Sequence, residues 1–506
     1  MYNLVSVRTS LLEQKQCQEK ESSSSSKPRV YNNILEVVGN TPLVKLNKIP
    51  KLHGLNCEIY AKCEFLNPGG SVKDRTALAM VEDAQKTGAV KKNTVFLEPT
   101  SGNTGIGIAM SAALMDNECT IVTGAKNSAE KINTMRLLGA NVLQVKTEEI
   151  DVAHEMKKGN PDKYLILNQF ENIMNPMVHY ENTGTEIISA LDKVDMVVLG
   201  AGTGGTMSGL GLRIKQKHPD CTLVVGEPDG SIMINTKGKE HPFLVEGIGG
   251  GTWVPKVLDK SLVDHVEEVT DQESFLMARE LAKQEGLLCG GSSGTAMCAA
   301  IKAAKALNLG AGKRVVVLLP DGIRNYMTKF VSDQWMEARL FMDPPKHSMQ
   351  WWNKPITDLK LGHKYPLLKK TVSCDLVLTA MKDCSIAVII DENGHFVGAV
   401  SKDSFRSFAT NPTNEDTENF NFKDPVSDHL IKECYILSEN GKKGMPTIGL
   451  LSRILDITPF VVIGQEGHDS KDYFEPKGVV TGDDVLDYIR QMSDSCNTQC
   501  RGWPNK

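Results

Sequence analysis

The chain has 506 residues, 41% of them hydrophobic, with 57 Lys and Arg against 62 Asp and Glu and a formal net charge of −5. That length can bury more than one core, so two or three domains are expected, and a slightly acidic balance without a basic stripe argues against a nucleic-acid partner. No apolar run approaches the roughly 20 residues that cross a bilayer, and no basic segment leads into an apolar one at the start. The 12 cysteines are scattered and make no disulfide framework. A cytoplasmic protein off the membrane is therefore expected.

Residues 1–30, with a serine run at 22–26 in a polar, charged setting, read as a disordered N-terminal tail. From about 31 the pattern becomes globular. The run Asn67-Pro68-Gly69-Gly70-Ser71-Val72-Lys73-Asp74-Arg75 carries a glycine pair ahead of a lysine. Ser71 and Asp74 stand at a capping-box spacing that predicts a helix start there. Lys73 then lies at the positive end of a helix dipole, which favours the neutral amine that a Schiff base to an aldehyde cofactor needs. The plainer alternative is a solvated surface lysine.

Residues 94–97, 121–123, 141–145, 196–199, 223–225 and 315–319 are short apolar runs between helical patterns. They predict buried strands of an α/β fold with a mostly parallel, doubly wound sheet, whose ligands bind beyond the strand ends. Three loops leave such strands. Glu98-Pro99-Thr100-Ser101-Gly102-Asn103-Thr104-Gly105 offers hydroxyls, an amide and backbone N–H groups suited to a carboxylate, or simply a helix cap. Gly200-Ala201-Gly202-Thr203-Gly204-Gly205-Thr206 suits a phosphate. It also fits G-x-G-x-x-G, with Glu227 placed as a ribose-binding acid, so a dinucleotide site stays open. Gly290-Gly291-Ser292-Ser293-Gly294 puts a serine where it either faces a pyridine nitrogen or caps a helix. A dinucleotide enzyme has no use for Lys73. A pyridoxal phosphate enzyme needs a lysine, a phosphate cradle, a ring-nitrogen partner and a carboxylate anchor, and all four candidates are present.

The pattern breaks near Pro344-Pro345 and Trp351-Trp352, which predicts a catalytic domain at 31–340 and a linker at 341–353. Beyond it, Gly398-Ala399-Val400-Ser401-Lys402-Asp403-Ser404 and Gly478-Val479-Val480-Thr481-Gly482-Asp483-Asp484 repeat one motif about 80 residues apart. They predict paired units at 354–410 and 424–492, and 493–506 reads as a C-terminal tail. Cys496 and Cys500, without partnering Cys or His pairs, make no metal site.

These motifs, with the run Leu319-Pro320-Asp321-Gly322-Ile323-Arg324-Asn325-Tyr326-Met327-Thr328-Lys329-Phe330, resemble the cystathionine β-synthase family of fold type II pyridoxal phosphate enzymes. The resemblance covers about 31–492 and implies a two-lobed catalytic domain followed by a tandem-repeat α+β Bateman regulatory module. It implies that Lys73 carries the cofactor and moves protons and that Asn103 bonds the ring hydroxyl. Gly202, Thr203, Gly204, Gly205 and Thr206 would hold the phosphate, and Ser292 would face the ring nitrogen. Thr100, Ser101, Thr104 and Gln169 would take the substrate carboxylate, with Tyr180 and Gly249 in the pocket. A neutral hydroxyl at the ring nitrogen makes a weaker electron sink, which favours elimination over racemisation.

The implied reaction joins L-serine and L-homocysteine through an aminoacrylate to cystathionine and water, a transsulfuration step in cysteine biosynthesis, with hydrogen sulfide release from cysteine also in the family's range. The resemblance further implies a homodimer. S-adenosylmethionine is the family effector in vertebrates, and Thr481 and Asp484 fit a ribose contact in the second unit. The first unit has Ser401 and Ser404 there without the acid, so a purely structural role for the module stays open. Cys17 has no histidine companion before His53, so no haem of the animal kind is expected, and His218-Pro219-Asp220-Cys221 replaces a Cys-x-x-Cys redox pair. The alternatives are a cysteine synthase using O-acetylserine and sulfide, and a non-catalytic adenosine-ligand sensor.

Overall fold

The computed structural model describes residues 30–100, 102–124, 128–145, 149–359, 365–409, 421–426, 434–440, 445–466 and 474–500. The tail expected at 1–30, Cys17 and Ser101 lie outside the described residues, apart from residue 30.

Two sheets build the first part of the chain. The larger contains β1 (Leu43–Lys45), β2 (Glu58–Cys63), β7 (Met196–Gly200), β8 (Thr222–Pro228), β9 (His265–Val269) and β10 (Arg314–Leu319). Its order is β1-β2-β10-β7-β8-β9, parallel except for β1 against β2. The smaller contains β3 (Val95–Pro99), β4 (Glu118–Gly124), β5 (Asn141–Val145) and β6 (Tyr164–Ile166), all parallel in the order β5-β4-β3-β6. Uninterrupted apolar runs such as Val315-Val316-Val317-Leu318-Leu319 are buried, as a parallel sheet covered by helices on both faces requires. The helix Lys73–Lys86 packs tightly on Asn103–Leu114, where a Cβ on Gly107 would lie 2.7 Å from Ala77 Cβ.

The start of the lysine-bearing helix differs from the capping-box expectation. Its N-cap is Val72, and the Ser71 hydroxyl accepts from the Lys73 amide at 3.1 Å. Asp74 instead reaches back to the Gly69 amide at 2.6 Å, and burial raises its pKa to about 7. Ser71 is held as a bridge partner of Asp321, with the Val72 amide on the Pro320 carbonyl, and this long-range pairing overrides the local cap.

The C-terminal part is two units of one design. β11 (Leu367–Lys369), β12 (Ile386–Ile390) and β13 (Phe396–Ser401) form the first, and β14 (Ile436–Ser438), β15 (Phe460–Glu466) and β16 (Phe474–Thr481) the second. In each, the first strand runs parallel and the third antiparallel to the middle strand, with a register shift late in the outer pair. Ile386, Val388 and Ala399 share one core with Phe460, Val462 and Val479, so the two sheets face each other.

The linker expectation needs amending: Trp352 is buried, its carbonyl accepts the Gly449 amide of the Ile448–Leu455 helix at 2.9 Å, and Gly449 has no room for a Cβ against the indole. The expected tail at 493–506 is also amended, because the last helix runs Gly482–Cys500 without a break.

Candidate active site

The glycine- and hydroxyl-rich loops converge where the two sheets present their carboxyl strand ends. Lys73 Nζ lies 3.4 Å from Thr203 Oγ1, which brings the first lysine turn and the loop after β7 to one point. Burial lowers the Lys73 pKa to about 8, with the helix N-terminus acting in the same direction.

The loop has no room for side chains. A Cβ on Gly202 would fall on the Gly247 carbonyl oxygen, and one on Gly205 would fall on the Asn175 carboxamide. Gly204 adopts φ +85° at the start of the Gly205–Lys217 helix. Buried Thr203 and Thr206 thus flank bare backbone amides at a helix N-terminus, an anion cradle. A phosphate-bearing aldehyde fits this combination: glycines that a Cβ would close, and a neutral-prone amine beside them.

Asn103 is fixed on both sides. Its Nδ2 donates to Asp321 Oδ2 at 2.9 Å, and its Oδ1 accepts from Asn325 Nδ2 at 2.9 Å. Tyr326 donates its hydroxyl to the same Asp321 oxygen at 2.6 Å, and the Gly290 amide donates to the Asp321 carbonyl at 2.8 Å. Asp321, whose pKa burial raises, therefore joins the Asn103 loop to the turn before Ser292, which is itself buried. Sequence reasoning quoted Asp321 inside a motif without giving it a role; its place two residues beyond β10, at a carboxyl strand end, was the available signal.

The expected carboxylate loop also assembles. Thr104 donates to Gln169 Oε1 at 2.6 Å, and the Thr100 hydroxyl accepts from the Gly102 amide at 3.3 Å. Buried Glu98 takes the Asn168 and Gln169 amides at 2.8 and 2.9 Å and so anchors Gln169; burial raises its pKa to about 7. Gly249, at φ +79°, donates its amide to the Ala201 carbonyl at 2.8 Å, which seats the 246–249 turn on the glycine loop after β7. Beside it Glu246 binds Lys131 at 2.7 Å and also Lys329.

Two sequence readings change. Tyr180 turns to the outer face of the Gly205–Lys217 helix, where its hydroxyl donates to Gln216 at 2.7 Å and its ring lies under Arg213. It is not in the pocket, because a π turn at His179–Thr183 sends its neighbour His179 inward instead. Glu227 accepts the Ile234 and Asn235 amides at 2.8 Å each and the Ser231 hydroxyl at 2.7 Å. It shapes a loop and is committed away from any ribose.

A family model described as pyridoxal-phosphate dependent enzyme matches residues 34–321. The chain is 41% identical over 486 residues to a cystathionine beta-synthase of Apis mellifera, covering 93% of each. Among solved structures, a hydrogen sulfide-producing enzyme from Fusobacterium nucleatum is 38% identical with a TM-score of 0.56, covering 59% of this chain and all of that one. An O-acetylserine dependent cystathionine beta-synthase from Helicobacter pylori is 37% identical with the same score, covering 60% and 99%. The chain belongs to the pyridoxal-phosphate dependent enzymes and, within them, to the cystathionine beta-synthase family. It is a lyase of that class with pyridoxal 5'-phosphate as its cofactor.

Proposed function

We propose that this enzyme replaces the β-hydroxyl of L-serine with the thiol sulfur of L-homocysteine, giving cystathionine and water. The observation that carries the reading is the Lys73 amine, depressed to about 8 and held at the glycine cradle beside Thr203. Pyridoxal phosphate, when bound, supplies the electron sink that weakens bonds at the amino acid's α carbon. Lys73 would hold it covalently, Gly202, Thr203, Gly204, Gly205 and Thr206 would grip its phosphate, Asn103 its ring hydroxyl, and Ser292 its ring nitrogen.

Thr100, Ser101 and Thr104, with Gln169 fixed by Glu98, would orient the serine carboxylate. Once released by substrate, the Lys73 amine takes the α-proton and delivers a proton to the departing hydroxyl. The Cβ–O bond breaks, the homocysteine sulfur bonds Cβ, and the thiol's proton replaces the one lost from Cα. The turn 246–249 would lie beside the second substrate.

The same reading gives a cytoplasmic homodimer whose residues 354–492 form a Bateman module. Thr481, with its amide and hydroxyl both donated to Asp484 Oδ2 at 2.9 and 2.8 Å, would contact the ribose of S-adenosylmethionine. In the first unit the Ser401 amide likewise donates to the Ser404 side chain at 3.0 Å, but there the Ser401 hydroxyl accepts from the Ser404 amide, also at 3.0 Å. Among the described residues no helix is long and apolar enough to cross a membrane.

Product analysis of the holoenzyme tests the reading: serine with homocysteine should yield cystathionine. Turnover of O-acetylserine with sulfide alone would transfer the assignment to a cysteine synthase; dependence on O-acetylserine is already seen in the Helicobacter pylori cystathionine beta-synthase. Titration calorimetry with S-adenosylmethionine tests the module; heat lost in Asp484→Ala supports the ribose contact, and no heat in wild type removes it.

A further inference from the structure

Two fully buried polar side chains behind the glycine cradle have no part in the chemistry above. Asn175 and His179 belong to residues 174–183, where the short helix Met174–Val178 runs into the π turn His179–Thr183. Turns of this rare kind concentrate at functional sites. The segment approaches the Gly205–Lys217 helix closely: a Cβ on Gly205 would strike the Asn175 carboxamide, and one on Gly209 would land on the Pro176 carbonyl.

Asn175 Nδ2 donates to the Gln169 carbonyl at 2.8 Å, and a carbonyl only accepts, so the amide orientation is fixed. Its second Nδ2 hydrogen goes to Thr203 Oγ1 at 3.0 Å, and its Oδ1 takes the Thr76 hydroxyl proton at 3.1 Å. His179 Nε2 stands 3.2 Å from both Thr76 Oγ1 and Thr206 Oγ1. Thr76 has already committed its proton to Asn175, so a bare Nε2 would set lone pair against lone pair. Nε2 therefore carries the hydrogen. Burial and the Arg75 and Lys73 charges keep the ring neutral, and Nδ1 then accepts from Thr183 Oγ1 at 3.0 Å. Thr203 receives a hydrogen from Asn175, and the single Nε2 hydrogen lies between the Thr76 and Thr206 oxygens. Neither group accepts from the cradle threonines, which leaves the Thr203 and Thr206 hydroxyl protons for an acceptor in front.

We propose that Asn175 and His179 are positioning residues that hold the Thr203 and Thr206 hydroxyls as donors toward the cofactor's phosphate. This rests on the cradle reading given above, and it assigns the phosphate's grip to groups that never touch it.

The test compares apoprotein affinity for pyridoxal 5'-phosphate and for pyridoxal, which has the aldehyde without the phosphate. A hydrogen bond to a charged group is typically worth enough that His179→Leu and Asn175→Leu should cut the phosphate preference by about tenfold or more. His179→Gln, whose amide nitrogen reaches the Nε2 position, should keep the preference within about threefold of wild type and leave the phosphorus resonance of bound cofactor in place. Thr183→Val, which removes the Nδ1 partner and so loosens the ring's hold without altering volume, should shift that resonance and lower the preference, and it carries the test if the leucine variants do not fold. Unchanged preference in the leucine and Thr183→Val variants, or equal loss of both affinities, overturns the proposal. Wild type that binds both compounds alike would instead remove the cradle reading itself.

Discussion

Lys73 is where the chemistry either works or fails, and its environment sets a measurable pH. With a pKa of about 8, roughly one amine in ten is neutral at pH 7, against about one in three thousand for an ordinary lysine. The neutral amine is the reactive form, so condensation of pyridoxal with the apoprotein should accelerate with rising pH and level off above an inflection near 8. Stopped-flow absorbance gives the profile, and an inflection above 10 would contradict the burial argument.

Tyr180, on the outer face with Gln216 and Arg213, should tolerate Phe with kcat and KM within about twofold; a large rise in KM would return it to the pocket. Lys73 and the glycines of the cradle could be picked out from the chemistry their runs suit, whereas Asn103 took its expected role from the family resemblance. His179 was not legible. The run His179-Tyr180-Glu181-Asn182-Thr183 does not announce the extra residue of a π turn, and that residue decides which neighbour faces inward.

At the scale of elements, the Gly205–Lys217 helix is defined by what it lacks. Gly205 and Gly209 remove Cβ atoms so that the Met174–Val178 helix can lie against it. Gly205→Ala would push the Asn175 amide aside, an overpacking cost of about 1–3 kcal/mol, and should weaken cofactor binding as well. Thermal unfolding with and without pyridoxal phosphate measures both, and a variant matching wild type in each would show that the helices have slack.

Strands made of uninterrupted apolar residues, β7 and β10 above all, were legible because burial on both faces allows nothing else. β2 and β9 were not, since Glu58, Lys62, Glu267 and Glu268 break the apolar run. Lys62 is buried all the same, satisfied by Glu186 at 2.5 Å and the Thr41 carbonyl at 2.7 Å. Such tertiary ion pairs leave no local trace in a sequence.

Across the whole molecule, one short helix, Asp333–Ala338, touches both halves. Trp335 joins Phe275, Phe330 and Tyr326 on the catalytic side. Ala338 enters the core of the second C-terminal unit, buried Glu337 binds Arg453 at 2.8 Å, and Arg339 donates to the Tyr435 hydroxyl at 2.6 Å. Arg453→Ala strands a buried carboxylate and should cost about 2–3 kcal/mol, below the range for fully buried pairs because Arg453 keeps some solvent contact. Denaturant unfolding followed at the tryptophans should show it; an unchanged midpoint would mean that Glu337 finds water or another partner. The paired C-terminal units were legible as a repeat of one motif, whereas their docking through Trp352 and Arg453 was not, because surface complementarity has no period.

The most direct measurement is borohydride reduction of the holoprotein followed by peptide mass spectrometry. The account predicts the reduced pyridoxyl group on Lys73 and on no other side chain, with Lys73→Ala unlabelled and inactive toward serine. Label on another lysine, such as Lys131, or native turnover in Lys73→Ala, would contradict it.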